Sequence, residues 1–233
     1  MALVLALGSC TPAPAPTLPP PPPRIAAVPS LEGWVATEVG AYAEQQGVPG
    51  FDVDILPEVA ASEAAQAGRI SLVLTVLDPP AGWFAAPLAS VDLAIIVHSS
   101  NPVQSLTLDE LAGIFSGRIT SWGSLGGLEA AVQPVIPLPE DGLRQRFEAA
   151  VMEGSDVSPA ALLAPSPAVM VQLVGGEPGA IGYVVASDAG GEVRIPRVTG
   201  AGNPSPLRLT ILGAAPEEPS GPVRDWLAWV QSR

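Results

Sequence analysis

This 233-residue sequence contains no lysine, and it has only one cysteine and one histidine. The single cysteine, Cys10, excludes an intrachain disulfide, and with one histidine, His98, there is no His/Cys cluster for a zinc or iron site. A Ser/His/Asp or Cys/His hydrolase is equally disfavoured, because a nucleophile needs a nearby base and His98 ends an apolar run. We therefore expect no metal, no other cofactor and no enzymatic activity, and we interpret His98 as a strand-end residue with a satisfied hydrogen bond.

Positive charge is also scarce, and arginine supplies all of it. Ten arginines face 23 Asp and Glu residues, so the formal net charge is −13. Such a chain has little electrostatic attraction for nucleic acid or for anionic lipid. Hydrophobic residues make up 48% of the sequence and charged residues only 14%, which indicates a folded chain with a sizeable packed core.

The N-terminal 23 residues differ in composition from the rest. Residues 1–10 are an apolar run too short to span a bilayer, and they end in Leu7-Gly8-Ser9-Cys10, which resembles a bacterial lipobox. We interpret them as a signal and lipobox remnant with Cys10 as the lipidated residue; the alternative is a buried or free thiol. Residues 11–23 form a proline-rich linker that could extend about 40 Å as polyproline II, or could instead be a ligand for a partner module.

From Arg24 onward, helical and extended patterns alternate, which predicts an α/β fold. Ser30 is a candidate N-cap for a helix that runs to about Gln46 and ends at Gly47. A continuous apolar run at 70–76 suits the middle of a parallel sheet. Further strands are expected at 51–55, 93–97, 132–138, 180–185, 192–198 and 207–212, and further helices at about 60–67, 143–152 and 222–231.

Two other helices have specific start signals. Thr107 and Glu110 have the spacing of a capping box, in which side chains and first-turn amides exchange hydrogen bonds, and this helix should end at Gly117. Ser166-Pro167 begins the next, with proline at the first helical position. Trp226 and Trp229, in the C-terminal helix, are expected in the core.

Residues 101–127 contain motifs whose order resembles a known family. An Asn-Pro-Val turn leads to a Leu-Thr cap, then a helix ending Ile-Phe-Ser-Gly, then an Ile-Thr-x-Trp loop. This segment resembles the phosphate-binding proteins of ABC transporters, a group within the type II periplasmic binding proteins. Residues 179–184 resemble the family's strand near the return to the first lobe, while Arg144 and Phe147-Glu148 resemble the end of its anion loop and the following helix. The matching motif residues are Asn101-Pro102-Val103, Leu106-Thr107, Ile114-Phe115-Ser116-Gly117 and Ile119-Thr120-Ser121-Trp122.

The resemblance implies a type II periplasmic-binding-protein fold, with two α/β lobes, a central cleft and two crossover strands. Lobe one would comprise residues 24–97 plus 187–233, and lobe two residues 98–186. A small solute would bind in the cleft, where first-turn amides and helix dipoles favour an oxyanion. The partners implied are a small-molecule solute, an ABC permease and the membrane that holds the lipid anchor. We expect an extracytoplasmic monomer.

The anion loop departs from the family pattern. In phosphate binders it reads approximately Arg-Glu-x-Gly-Ser-Gly-Thr-Arg-x-x-Phe; here Pro137 stands for the first Arg, Asp141 for the Ser and Leu143 for the Thr. Only the glycine, Gly142, remains. A carboxylate close to a bound dianion is a costly like-charge contact where water is excluded. A neutral or cationic solute therefore fits the loop better than phosphate does.

The candidate ligand-binding residues are Ser30, Glu58, Thr75, Asp141 and Gly142. Asp141 has an alternative interpretation as the N-cap of the helix at 143–152, and Glu58 as a solvated side chain. Two hypotheses for the function follow. The first is a lipid-anchored solute-binding protein with altered ligand specificity; the second is a surface binding or scaffolding module that kept the fold without small-solute transport, which a cleft filled by its own side chains would favour.

Overall fold

We describe the chain from a computed structural model, which covers residues 22–200, 202 and 205–233. Cys10 and nearly all of the proline-rich linker lie outside these residues, so the lipobox interpretation stays a prediction. Within them, helices and strands alternate as predicted for an α/β fold.

The strands assemble mainly into one long curled sheet. The strands are β1 (Arg24–Ala27), β2 (Asp52–Ile55), β3 (Val73–Thr75), β4 (Phe84–His98), β5 (Ser105–Thr107), β6 (Gln133–Pro137), β7 (Leu162–Ala164), β8 (Ala180–Val185), β9 (Val193–Arg194), β10 (Arg197–Thr199) and β11 (Arg208–Ala215). The order of the strands in the sheet is β2-β1-β3-β11-β4-β8-β6-β7. Strand β9 also pairs with β4, and β5 and β10 form a separate pair.

The 15-residue strand β4 connects the two halves of this sheet. Its residues Phe84–Asp92 pair antiparallel with β11, and its residues Leu93–Val97 pair antiparallel with β8. The predicted strand at 93–97 is therefore only the apolar end of a longer strand. Because β11 is also antiparallel to β3, the run at 70–76 is not in the middle of a parallel sheet: β3 pairs parallel with β1 on one side only.

Six α-helices of the described ranges pack around the sheet. The helices are α1 (Glu32–Gln46), α2 (Glu58–Gln66), α3 (Leu108–Phe115), α4 (Gly142–Phe147), α5 (Pro167–Gly176) and α6 (Pro222–Gln231). The capping box of α3 is present in full, and Ser166 caps α5 ahead of Pro167, both as predicted. Helix α1 ends at Gly47, as predicted, and Gly47 has the left-handed conformation, with φ of 62°.

Three details correct the sequence predictions. Ser30 does not cap α1, because Pro29 starts a 3-10 turn at Pro29–Leu31 and α1 follows only at Glu32. The helix predicted at 143–152 continues past Phe147 as a π-helical turn, Glu148–Met152. The strand predicted at 192–198 is interrupted and forms β9 and β10.

The core lies on both faces of the sheet and contains most of the aromatic residues. Tyr183 stacks on Phe147, with ring centroids 4.1 Å apart, and Phe115 packs edge-on against both rings. Trp226 is completely buried, as expected, whereas Trp229 is only partly buried and its indole N–H donates to Gln45. In the described part of the chain, no helix combines the length and the apolarity needed to cross a bilayer.

Candidate solute-binding cleft

Glu58 and Thr75 form the first half of the candidate site. Thr75 ends β3, and its hydroxyl donates to Glu58 Oε1 at 2.6 Å while accepting the backbone N–H of Leu77 at 2.9 Å. Glu58 is the first residue of α2, where a carboxylate interacts favourably with the helix dipole. Thr75 is buried, and Glu58 is partly buried, so its carboxylate remains partly in contact with solvent.

Asp141 is the central residue of the second half of the candidate site. Its Oδ1 accepts the N–H of Leu143 at 2.8 Å, so Asp141 is the N-cap of α4, as one of our two interpretations predicted. Its Oδ2 accepts the backbone N–H of Ser30 at 3.1 Å, and the residue is 4% exposed. The same carboxylate therefore caps its own helix and binds a free amide of the turn that precedes α1.

Gly142 lets the two halves approach each other closely. A Cβ at this position would collide with Glu58 Oε1 and would lie 3.1 Å from Leu77 Cγ. Gly142 thus brings the start of α4 against the start of α2. Contacts from Ser30 to Asp141, from Gly142 to Glu58 and from Glu58 to Thr75 join all five predicted residues in one place.

Arg146 is a polar contact that the sequence did not reveal. From α4, its Nε donates to the carbonyl of Val76 at 2.7 Å, and its guanidinium lies 3.4 Å from the carboxylate of Asp78. The resemblance points instead to Arg144, which matches the end of the family's anion loop. Arg144 pairs with Glu148 at 2.7 Å and donates to the carbonyl of Pro137 at 3.3 Å. The helical spacing of 144 and 146 could have shown that the two side chains point to different neighbours.

Burial raises the pKa values of both acids at the site. The pKa of Glu58 rises from its ordinary 4.5 to about 7, mainly through burial and further through the charge of Asp141, while Thr75 and Arg146 oppose the rise. Burial also raises the pKa of Asp141, against the hydrogen bonds donated by Ser30 and Leu143. A bound oxyanion would add a like charge beside these two groups.

The space beside Asp141 is small. A cavity bounded by residues that include Ser30, Pro137, Asp141, Leu143 and Tyr183 has about 10 Å³ of room for the centre of a water-sized molecule, roughly what one water needs. The hydroxyls of Ser30 and Tyr183 are buried and make no hydrogen bond. The Asp141 side of the cleft is therefore largely filled by the protein's own side chains, whereas Glu58 and Thr75 line an open pocket of about 440 Å³.

His98 lies away from the cleft. It is the last residue of β4, and its Nδ1 is 2.7 Å from Ser100 Oγ and accepts the Ser100 N–H at 3.1 Å. This confirms the predicted strand-end histidine with satisfied hydrogen bonds. Within the described ranges, no three His, Cys, Asp or Glu side chains form a cluster that could hold a metal ion.

Comparison with known proteins identifies the family to which this chain belongs. The chain matches the PBP superfamily domain over residues 42–221, most of its length, and it therefore belongs to that family. Over 100 residues it is 29% identical to the phosphate-binding protein PstS of Bacillus subtilis (strain 168). That match covers 43% of this chain and only 33% of the relative's length.

Solved structures show the same fold. A phosphate ABC transporter substrate-binding protein from Clostridium perfringens, solved with bound phosphate, superimposes with a TM-score of 0.79 at 20% identity, over 89% of this chain and 92% of that one. An ABC-type phosphate transport receptor from Vibrio cholerae gives a TM-score of 0.68 at 22% identity, over 91% and 93% of the two chains. These likenesses confirm the predicted type II periplasmic-binding-protein fold.

Proposed function

We propose that this protein is an extracytoplasmic solute-binding component that works with an ABC permease and whose cleft takes a ligand other than phosphate. The observation that carries the proposal is the position of the Asp141 carboxylate, which accepts N–H groups from Ser30 and Leu143. Backbone N–H groups at the start of a helix are the usual donors to a bound oxyanion. Here a side chain of the protein already uses them.

Charge supports the same conclusion. Asp141 and Glu58 are close enough for the charge of one to raise the pKa of the other, and both lie largely out of water. A phosphate dianion would have to replace the carboxylate or bind beside it, and like charges repel strongly where the dielectric constant is low. A neutral or cationic solute avoids this cost.

The expected lobes explain how such a cleft would work. With lobe one at 24–97 plus 187–233 and lobe two at 98–186, the contacts of Asp141 with Ser30 and of Arg146 with Val76 cross from one lobe to the other. Both would break when the lobes separate and re-form when they close. Lobe closure over a solute is the usual mechanism of such two-lobed binding proteins.

The N-terminal region fits a membrane-anchored component that works outside the cytoplasm. Lipidation of Cys10 would fix the chain to the membrane, and residues 11–23 would hold the domain about 40 Å away, as a monomer beside its permease. The relatives are named as binding and transport proteins, in agreement with the expectation that this chain is not an enzyme.

Isothermal titration of the full chain with inorganic phosphate, at low ionic strength and pH 7, tests the proposal. We expect no heat and no rise in melting temperature. Micromolar or tighter binding would contradict it. The variant Asp141→Ser, which restores the family's residue, provides a comparison: any phosphate affinity it gains would show directly that the carboxylate excludes the anion.

One observation favours the second hypothesis, a surface module without solute transport. The cavity beside Asp141 admits about one water, so the Asp141 side of the cleft is filled by the protein's own side chains. This module would bind a macromolecular partner through its outer face. A screen of sugars, amino acids, amines and oxyanions separates the two, because a solute-binding protein should gain thermal stability with at least one of them.

A further inference from the structure

The open pocket beside Glu58 and Thr75 is a groove between α2 and the chain segment that follows β3. Side chains of α2 line one side, residues between 77 and 83 line the other, and the buried Val73 and Thr75 of β3 lie at the bottom. We refer to this pocket as the α2 groove. Its volume of about 440 Å³ lies within the usual range for small-molecule sites, about 300–1,000 Å³.

Three polar side chains of α2 form a row along the groove. Glu58, Ser62 and Gln66 follow one another at intervals of four residues, which places them on one side of the helix, about 6 Å apart. Glu58 Oε1 accepts the Thr75 hydroxyl, whereas no described residue donates to Oε2 or bonds to the side chains of Ser62 and Gln66. The row is therefore about 12 Å long and offers free hydrogen-bond donors and acceptors.

Trp83 provides an aromatic surface in the same groove. Its side chain is partly buried and lines the groove while it also packs against a small core cluster that includes Ala61, Ala64 and Ala65 of α2. The indole N–H has no acceptor among the described residues, so it is a further free donor. Because the core already holds the ring, a ligand that packs on it loses little side-chain entropy in binding.

Charge and hydrogen bonding together favour a neutral ligand with several hydroxyl groups. Three carboxylates line the groove, those of Glu58, Glu63 and Asp78, and Arg146 compensates part of their charge, so an anion is repelled. Burial raises the pKa of Glu58 to about 7, which leaves this group partly protonated at neutral pH, a weak counter-ion for a cation. It can then donate as well as accept. A hydroxyl group does both too, and can use every polar side chain of the groove.

We propose that the α2 groove binds a carbohydrate of two linked sugar rings, which packs on Trp83 and hydrogen-bonds to the row formed by Glu58, Ser62 and Gln66. The C–H groups on the face of a sugar ring complement the negative face of an indole, and the hydroxyls at its rim reach the polar row. A row of this length matches two rings better than one. The assignment rests on the proposed function, because it names a class of neutral solute. Glu58 belongs to both groove and cleft, so the bound sugar would lie beside the contact between α2 and Gly142.

Isothermal titration of the full chain with maltose, cellobiose, lactose, sucrose and trehalose tests the assignment. We expect at least one of these disaccharides to bind with a Kd of about 1 mM or tighter. It should also change the tryptophan fluorescence, because Trp83 is accessible from the groove. Choline chloride tests for a cation on the same aromatic ring, and inorganic phosphate is titrated in parallel.

Two variants locate the site. Gln66→Ala removes one member of the polar row from an exposed helix position and should weaken binding about three- to tenfold. Gln46→Ala is the matched control, because Gln46 is likewise the exposed last residue of a helix, α1, and does not line the groove. Trp83→Phe keeps an aromatic ring against the core cluster and should weaken binding and reduce the fluorescence change. Circular dichroism confirms that each variant is folded.

These titrations separate the carbohydrate site from the proposed function. The site is refuted if no disaccharide binds, whether or not choline does. It is equally refuted if a disaccharide binds the unmodified chain, Gln66→Ala and Trp83→Phe with the same affinity, because the sugar then lies elsewhere. Neither result contradicts the proposed function, whereas phosphate binding by the unmodified chain would contradict it whatever the sugars do.

Discussion

The Asp141 carboxylate accepts the backbone N–H of Ser30 at 3.1 Å across 111 residues of sequence. The same side chain caps α4, so a single residue fixes a helix start and joins two distant parts of the chain. Substitutions at and around this carboxylate therefore test the architecture of the cleft as well as its chemistry.

Asp141→Ala should lower the free energy of unfolding by about 2–3 kcal/mol. The variant loses the cap of α4 and leaves the Ser30 N–H buried without an acceptor. Urea denaturation measures the change. Asp141→Asn, which keeps a side-chain acceptor, should lose clearly less, and an equal loss in both variants would contradict this account.

Gly142→Ala should also destabilise the protein, by about 1–3 kcal/mol, because the new methyl group collides with Glu58 Oε1 and presses on Leu77. Gly40→Ala is the matched control. Gly40 lies inside α1 with nothing within 4 Å of the added methyl group, so that change should stabilise the protein by about 0.5–1 kcal/mol. Equal effects at the two glycines would show that the contact between α2 and α4 is loose.

Stability should fall as the pH rises from about 4.5 to 7. Glu58 has its pKa raised from 4.5 to about 7 by burial, so across this range the folded state holds a proton that the unfolded state has lost. Below 4.5 both states are protonated and above 7 both are ionised, so the loss levels off. It amounts to at most about 3 kcal/mol from this residue.

Urea unfolding at pH 5, 6, 7 and 8 measures this slope. Glu58→Gln should flatten it, because the variant cannot ionise. Glu63→Gln, an exposed position on the same helix, should leave it unchanged. Asp188, whose pKa burial and Glu32 raise to about 6, adds a smaller slope of the same sign that remains in both variants.

Thr107→Ala should cost about 1 kcal/mol in unfolding free energy. Thr107 accepts the N–H of Glu110 at 3.1 Å, and Glu110 accepts the N–H of Thr107 at 2.7 Å, so the change removes half of the capping box. Thr107→Ser retains the hydroxyl and should stay within about 0.5 kcal/mol of the unmodified protein. Thermal and urea unfolding of the two variants give the comparison.

Local signals predicted the parts of the fold that depend on neighbouring residues. The capping box at Thr107 and the Ser166-Pro167 start were predictable because cap and helix lie within four residues. Strand β4 was not, since its first nine residues contain small and polar side chains and become a strand only by pairing with β11, more than a hundred residues later. Pairing over that distance leaves no local pattern in the sequence.

The proximity of the five candidate residues was predictable from the sequence, whereas the contacts between them were not. Ser30, Glu58, Thr75, Asp141 and Gly142 came from the family resemblance and from helix starts, and the structure brings them together. What the sequence could not show is that Asp141 accepts an amide from Ser30 or that Glu58 is held by Thr75. Nor did it single out Arg146, because its acceptor is a backbone carbonyl, which is present at every residue.

In the proposed function, the Asp141 carboxylate takes the place of a bound anion and belongs to the chain itself. A tethered group competes with free ligands at an effective concentration in the millimolar range or above, because the chain confines it near its acceptor amides. Dissolved oxyanions at micromolar levels would therefore displace it rarely. Under the proposed function, the lobe equilibrium of this protein would therefore stay the same in a medium whose phosphate content changes.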